Sequence, residues 1–272
     1  MHPYIHLFGL SIPSYGIMTA LAYGAGLYYC YKYQARLGLP KDKIFDLIFW
    51  LIIGALIGGK IFYIWFNYDA FAAATLVEKI RFGFVFYGGF IGGFIAGFIW
   101  MKKYKQPMLP AMDFFAVPLA LGHAIGRIGC FLAGCCYGKI AHNFLGVKYT
   151  DPESLVPAHL HDVSLYPVQL MESILVLILF FILFHFYNKM YGKNTVVSDT
   201  KGLMGIAYKE PKQGVIFAGY LLGYGIIRFA LEYFRFDDRG AGILGMSPSQ
   251  TIAVILIIIS VFFFTRKENN AK

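Results

Sequence analysis

The chain has 272 residues, of which 58% are hydrophobic and only 14% are charged, and its mean hydropathy is +0.60. Soluble domains carry about 25% charged residues, so this composition excludes an ordinary soluble enzyme and predicts an all-α integral membrane protein. The net charge of +9 is spread between apolar segments, which argues against a nucleic-acid partner. We expect a single polytopic membrane domain over residues 1–272.

Seven apolar segments are long enough to cross a bilayer, for which a helix needs about 20 residues. The N-terminal residues lack the basic start and cleavage site of a signal peptide, so we expect the first segment to remain as a helix. Pro118 and nearby glycines could break the fourth segment, whose end could re-enter the membrane. Glycines four residues apart, Gly54/Gly58 and Gly88/Gly92, predict close helix packing. The predicted segments are 13–31, 44–66, 82–101, 111–131, 165–187, 214–235 and 246–265, with an outer loop over 132–164.

The distribution of Lys and Arg predicts the orientation of these helices. The connections after segments 1, 3, 5 and 7 hold 15 of the 24 basic residues, whereas the opposite side holds five. Because cytoplasmic loops are enriched in Lys and Arg, the N-terminus is predicted outside and the C-terminus in the cytoplasm.

Ionisable residues within apolar segments are candidates for function, because they are expensive to place in a membrane. In the predicted orientation, the polar groups of several helices meet near the outer leaflet, which indicates a site reached from that half of the bilayer. The ionisable residues are Lys60, Asp113, His123, Arg127, Glu172, Arg228 and Glu232.

Arg127 and Arg228 are candidates for binding a phosphate, since a guanidinium can donate two parallel hydrogen bonds. Arg228 and Glu232 are four residues apart, so they could also form a purely structural pair on one helix face. Arg127 has no acidic residue at helical spacing, so its partner is expected on another helix or on a ligand. Arg235 and Lys60 could simply extend towards the membrane interface.

Six short motifs occur in order along the chain. They are SYG (Ser14–Gly16), FYGGFIGG (Phe86–Gly93), Asp113 with GRIGCFLAGCCYG (Gly126–Gly138), YPVQLMES (Tyr166–Ser173), GYGIIRFALEYFR (Gly223–Arg235) and MSPSQ (Met246–Gln250). Over nearly the whole chain, this ordered set resembles the motifs of the prolipoprotein diacylglyceryl transferase family.

The resemblance implies a seven-helix enzyme of the bacterial inner membrane, with its active site towards the outer leaflet. Such an enzyme moves a diacylglyceryl group from phosphatidylglycerol to the lipobox cysteine of a preprolipoprotein signal peptide, and glycerol 1-phosphate leaves. The resemblance implies no metal or dissociable cofactor. It places Arg127 and Arg228 on the phosphate, with Glu232 orienting Arg228. It also implies a headgroup pocket lined by Tyr15, Tyr224, Gln169, Gly88, Gly89, Gly129 and Gly138.

The chain departs from the family motifs at a few positions. Tyr87 stands where the family's HGG motif has histidine, and Cys130 and Cys135 replace an asparagine and a glutamate of the signature. A phenol is a poor general base at neutral pH, so we expect Tyr87 to donate a hydrogen bond or position the headgroup. His123, one helical turn before the signature arginine, could accept the proton or could be a packing residue.

The departures leave other interpretations open. The cysteines Cys130, Cys135 and Cys136 could bind a soft metal, form a disulfide, act as a thiol relay, or serve as small packing residues. The protein could transfer a lipid group to a different acceptor, or bind phospholipid without catalysis. A transporter would usually have an internal repeat and midplane charges, and neither is evident in the sequence.

Overall fold

A computed structural model describes residues 2–7, 9–37, 41–81, 83, 85–192, 212–236 and 245–266. The chain divides into two compact units, one formed by Met1–Lys32 with Leu109–Lys272 and the other by Tyr33–Met108. The helices in the described ranges are α1 (Ser14–Tyr33), α2 (Lys41–Phe66), α3 (Tyr68–Ala73), α4 (Leu76–Arg81), α5 (Phe86–Lys103), α6 (Met108–Ala133), α7 (Val168–Tyr191), α8 (Val215–Leu231) and α9 (Pro248–Thr265). Short 3-10 helices cover Gln34–Leu37, Ala158–Leu160 and Glu232–Phe234, and the strands are β1 (Tyr4–Leu7), β2 (Leu10–Pro13), β3 (Val147–Lys148) and β4 (Ser164–Leu165).

A helix occupies the position of each of the seven predicted segments, namely α1, α2 and α5 to α9. Five of these helices are long and apolar enough to cross a membrane, and they are Asp42–Phe66, Met108–Ala133, Val168–Tyr191, Val215–Phe234 and Pro248–Thr265. The other two are α1, which is rich in tyrosine and glycine, and α5, which ends in two lysines. The predicted fourth helix is present without a break, because α6 continues through the buried Pro118.

In the unit Tyr33–Met108, α2 and α5 pack through their glycines. A methyl group at Gly58 would overlap the carbonyl oxygen of Gly88, and one at Gly92 would overlap that of Gly54. The two backbones therefore touch, as the four-residue glycine spacing predicted. The indole of Trp100 donates to the carboxylate of Asp46 at 2.7 Å and links the same two helices.

In the larger unit, α7 has an apolar outer face and a partly polar inner face. Ile174, Ile178 and Phe181 are each at least half exposed, whereas Gln169 and Glu172 are almost completely buried. This is the reverse of a water-soluble helix, in which charged groups face outward. It fits a helix surrounded by lipid, where polar side chains face the protein interior.

Asp113 holds three helices together at the end of the unit where α6 begins. Its buried carboxylate accepts hydrogen bonds from the Tyr191 hydroxyl at 2.8 Å and from the backbone N–H groups of Gly214 and Phe217 at 2.7 and 2.9 Å. The first turn of a helix has N–H groups without partners inside the helix, and a carboxylate satisfies them well. A side chain of α6 therefore caps α8 and fixes the end of α7.

The connection between α6 and α7 has a small core of its own. Tyr149, Val156, Leu160 and Leu165 are buried together, with Phe131 packed against them. Strand β3 pairs with β4 in antiparallel register, and an isolated bridge joins Gly138 to Arg235. At the N-terminus, β1 and β2 form an exposed antiparallel hairpin before α1.

Candidate functional site

Arg127 of α6 and Glu172 of α7 form a buried ion pair. Arg127 Nη2 lies 2.9 Å from Glu172 Oε1, and the Glu172 side chain is fully buried. Of the two partners considered for Arg127, a residue of another helix or a ligand, the structure shows the first. An arginine has five N–H donors, so pairing with one carboxylate oxygen leaves donors available for another anion.

Two further groups meet the same carboxylate oxygen. His123 Nε2 lies 3.3 Å from Glu172 Oε1, and the Tyr224 hydroxyl donates to it at 3.4 Å. His123 lies one turn before Arg127 on α6, so both side chains face α7. The other ring nitrogen, Nδ1, lies 3.3 Å from the Tyr220 hydroxyl. Glu172 thus joins groups from α6 and α8.

A second ion pair lies at the end of α8. Arg228 Nη2 is 2.8 Å from Glu232 Oε2, as their four-residue spacing allows, and it also donates to Ser249 Oγ at 2.6 Å. The Ser247 hydroxyl donates to Glu232 Oε1 at 2.7 Å. Arg235 Nε is 3.9 Å from Glu232 Oε2. The beginning of α9 therefore holds this pair, which joins α8 to the 3-10 helix that follows it.

Ser247 has this position because it is the N-cap of α9. Its hydroxyl accepts from the backbone N–H of Gln250 at 3.2 Å, while its own backbone N–H donates to Gln250 Oε1 at 3.0 Å. These reciprocal bonds form a capping box, followed by Pro248 at the start of the helix. The sequence SPSQ therefore determines both where α9 begins and where one partner of Glu232 stands.

The two ion pairs are close enough to interact, since Arg228 lies within electrostatic range of Glu172 and Tyr224. Arg228 Nη1 and Glu172 Oε2 are buried here and have no hydrogen-bond partner among the described residues. A buried polar atom without a partner is destabilising, so these atoms indicate a place where a polar ligand can bind. The arrangement offers one donor for an anion beside one acceptor for a hydroxyl.

The other predicted site residues of this unit lie around the same end of α6. Tyr15 packs on Gly129, where a methyl group would lie 3.2 Å from the tyrosine ring. The Gln169 amide is buried, and it donates to the Cys135 carbonyl at 2.7 Å and accepts from Tyr149 at 3.2 Å. It therefore connects α7 to the outer loop.

Gly138 lies where the outer loop approaches the end of α8. A methyl group there would be 2.6 Å from both the Phe234 carbonyl oxygen and Val168 Cγ2. Only glycine allows this approach, so the position of Gly138 beside Arg235 depends on its missing side chain.

Tyr87, Gly88 and Gly89 belong to the other unit. They lie in the first turn of α5, where Gly88 and Gly89 are buried. The side chain of Tyr87 lies outside the described part of the structure.

The sequence analysis named Glu172 as an ionisable residue of an apolar segment, but the spacing along α7 did not show that it pairs with Arg127. Ser247 and Ser249 lie in the MSPSQ motif, but no role was predicted for them. The S-x-x-Q pattern before an apolar run is that of a capping box and could have identified Ser247.

The cysteines of the outer loop do not form a disulfide, and neither does Cys30. Within the described ranges, no group of three or more His, Cys, Asp or Glu residues is arranged to hold a metal ion.

Comparison with known proteins gives consistent matches over nearly the whole chain. The profile of the family "Prolipoprotein diacylglyceryl transferase" matches residues 3–266. A phosphatidylglycerol--prolipoprotein diacylglyceryl transferase of Clostridium tetani is 34% identical over 259 residues, which cover 95% of this chain and 94% of the relative. A second such enzyme, from Clostridium perfringens, is 31% identical, covering 98% of this chain and 97% of the relative. One from Acinetobacter baumannii is also 31% identical, covering 95% and 89%.

Proposed function

Because the chain belongs to the prolipoprotein diacylglyceryl transferase family, we propose that it transfers a diacylglyceryl group from phosphatidylglycerol to the lipobox cysteine of a preprolipoprotein. The thiol sulfur forms a bond to the carbon of the diacylated glycerol that is joined to the phosphate. The bond from that carbon to the phosphate oxygen breaks. The products are a thioether and glycerol 1-phosphate. The thiol proton passes to a base.

The observation that carries this proposal is the unpartnered Arg228 Nη1 beside the Arg127–Glu172 pair. Arg228 would donate to the lipid phosphate through this atom, while Glu232 and Ser249 hold its other nitrogen. Arg127 would contribute its remaining donors. Two guanidinium groups would stabilise the charge that grows on the leaving phosphate, which is where electrostatic catalysis is most effective.

The unpartnered Glu172 Oε2 supports a phospholipid with a hydroxylated headgroup. This oxygen can accept a hydrogen bond from a glycerol hydroxyl, whereas the ammonium or choline of other headgroups would bring a cation close to the two arginines. Tyr15, Tyr224, Gly129 and Gly138 would shape the same pocket, with Gln169 acting through the loop that it binds.

His123 is the proposed proton acceptor, supported by its position 3.3 Å from Glu172. A carboxylate beside an imidazole stabilises the imidazolium that forms on proton uptake. For Tyr87, Gly88 and Gly89 the proposal rests on their motif alone, with the phenol donating to the headgroup. His123→Gln should lower kcat by about 100-fold or more with little change in KM. An unchanged rate per folded molecule would instead assign His123 to packing.

We further propose that residues 1–272 form one polytopic domain with seven spans in the bacterial inner membrane, with the N-terminus outside and the site towards the outer leaflet. The support is the excess of Lys and Arg in the connections after α1, α5, α7 and α9. Single cysteines placed near Lys102 should be labelled only after the cytoplasmic side is exposed to the reagent. Labelling from outside alone would contradict the orientation.

The transfer reaction can be tested in cells depleted of their own diacylglyceryl transferase. Expression of this chain should add a diacylglyceryl mass to the lipobox cysteine of a reporter lipoprotein, as read by mass spectrometry. A folded, inserted protein that adds no such mass would refute the proposal.

Variants then test the arginines. Arg228→Ala and Arg127→Ala should each lower the rate by about 100-fold or more, the size expected when one transition-state donor is removed. Lys148→Ala is the matched control, because Lys148 is an exposed basic residue of the outer loop. It should keep the parental rate. Equal losses in all three variants would indicate a general effect of positive charge.

A further inference from the structure

The ring of His123 on α6 has a polar partner at each of its two nitrogens. Nε2 lies 3.3 Å from Glu172 Oε1, and Nδ1 lies 3.3 Å from the Tyr220 hydroxyl. The ring also stands edge-on to Tyr224, with 4.7 Å between the two centroids. Tyr224 in turn stacks in parallel with Tyr220, at an interplanar angle of 9°. The imidazole is therefore held by α7 on one side and by two phenol rings of α8 on the other.

The partners of this ring determine which nitrogen carries the hydrogen. A neutral imidazole has one N–H donor and one lone pair that accepts. An ionised carboxylate can only accept, so Nε2 must carry the hydrogen that it shares with Glu172. Nδ1 then has the lone pair, and the Tyr220 hydroxyl donates to it. The hydrogen bonds thus run in one direction, from Tyr220 through His123 to Glu172.

The charges around the ring favour its neutral form. The Glu172 carboxylate is already paired with Arg127 at 2.9 Å, and both side chains are largely buried. A protonated His123 would place two cations on this one carboxylate, which is costly in a buried site. The resting imidazole is therefore neutral, with a lone pair that can take up a proton at Nδ1.

A proton that reaches Nδ1 has to pass the Tyr220 hydroxyl. An imidazole nitrogen has a single lone pair, and this hydroxyl occupies it. Tyr220 is only 8% exposed, so water has little access to take its place. The phenol oxygen of Tyr220 is therefore the atom that meets an incoming proton.

Tyr220 and His123 lie one helical turn before the groups proposed to bind the lipid headgroup. His123 precedes Arg127 by four residues on α6, and Tyr220 precedes Tyr224 by four residues on α8, which is about 6 Å along each helix. In the proposed orientation both helices run outward, so this turn is nearer the centre of the bilayer. A lipid phosphate held by Arg127 would place the acylated glycerol, with the carbon that the thiol attacks, towards this turn.

We propose that Tyr220 relays the thiol proton to Nδ1 of His123. The lipobox thiol gives its proton to the Tyr220 oxygen, while the Tyr220 hydroxyl gives its own hydrogen to Nδ1. The sulfur keeps the electron pair and forms the bond to the lipid carbon. His123 becomes an imidazolium, whose charge the Glu172 carboxylate stabilises. Tyr220 ends as a neutral phenol, so its weakness as a base does not prevent the transfer.

The hydrogen positions are tested by nitrogen NMR on the full-length protein in detergent, with ¹⁵N in the histidine rings. The chain has seven histidines, and His123→Gln identifies the signals of this one by their loss. At neutral pH we expect a protonated Nε2 and an unprotonated Nδ1. Tyr220→Phe should move the Nδ1 signal further from the protonated range, because its hydrogen bond is lost. A proton on Nδ1, or on both nitrogens, in the resting protein would overturn the proposal.

The relay itself is tested by the rate of transfer, with each variant first checked for monodisperse elution. Tyr220→Phe should lower kcat by about 100-fold or more with little change in KM, since a phenyl ring keeps the stack but passes on no proton. Tyr233→Phe is the matched control, because Tyr233 is an exposed tyrosine of the 3-10 helix after α8. It should keep the parental rate. A parental rate for Tyr220→Phe would exclude the relay.

A double variant separates a relay from an effect of packing. If Tyr220 and His123 carry the same proton, the variant with both His123→Gln and Tyr220→Phe should be about as slow as His123→Gln alone. Losses that multiply would assign Tyr220 to packing and contradict the relay.

The rate measurements rest on the proposed function, whereas the NMR measurement does not. A parent chain that transfers no lipid would count against the function and the relay together, and the NMR signals would still decide the order of the hydrogen bonds. Transfer by the parent together with an unaffected Tyr220→Phe variant would refute the relay alone.

Discussion

The buried pair of Arg127 and Glu172 predicts a large effect on stability. Glu172 Oε1 receives Arg127, His123 and Tyr224 within 2.9 to 3.4 Å, and its side chain is fully buried. Glu172→Gln keeps the shape but removes the negative charge, which leaves Arg127 without a salt bridge in the described part of the chain. Breaking a buried pair from one side costs about 3–5 kcal/mol, because the remaining charge has lost its solvation.

A double-mutant cycle measures this energy directly. Glu172→Gln, Arg127→Met and the double variant would be unfolded reversibly in mixed micelles by increasing the denaturing detergent. The first variant should lose about 3–5 kcal/mol of unfolding free energy. The double variant should lose less than the sum of the single losses by about 2–3 kcal/mol, since neither charge is then left alone.

Glu153→Gln provides the control for the loss of a negative charge. Glu153 is about half exposed and lies 3.4 Å from the exposed His6, so this change should stay within about 0.5 kcal/mol. If the single losses at Arg127 and Glu172 simply add, the two charges do not depend on each other. The account of a coupled buried pair would then be wrong.

Three further substitutions have defined outcomes. Asp113→Asn should lower the unfolding free energy by about 2–3 kcal/mol, since its amide cannot accept all the hydrogen bonds of the carboxylate; the same detergent titration measures this. Ser247→Ala should lower the unfolding free energy by about 1–2 kcal/mol and should slow transfer, because its hydroxyl no longer binds Glu232. Ser247→Thr keeps a hydroxyl, so it should retain the stability and the turnover of the parent in the same assays. Gly138→Ala should lower the melting temperature by an amount equivalent to about 1–3 kcal/mol, whereas Gly126→Ala, with open space around it, should change it little.

Local sequence patterns predicted the helices well. A run of apolar residues is enough to identify a helix that lipid surrounds, and the observed helices lie within a few residues of the predicted segments. Pro118 could have broken the fourth helix, but a proline removes only one backbone donor, and its ring is accommodated in the buried interior of α6. Glycine spacing likewise identified the seam between α2 and α5.

The candidate site was only partly predictable. The spacing of Arg228 and Glu232 on one helix predicts their contact, because residues four apart share a face. The contact of Arg127 with Glu172 joins residues 45 positions apart, and no local spacing encodes which helix faces which. Local spacing also does not predict the contacts of Gln169, whose amide binds Cys135 and Tyr149 of the outer loop.

The hydroxyl of Ser247 makes two hydrogen bonds, one that caps α9 and one to Glu232. Helix ends open at a lower free-energy cost than helix centres. Each opening of the first turn of α9 therefore also releases a partner of the carboxylate that holds Arg228. On heating, we expect the enzyme to lose turnover before its helices melt, with the two curves separated in temperature. The thermal limit of the activity would then be set by one helix terminus rather than by the stability of the whole protein.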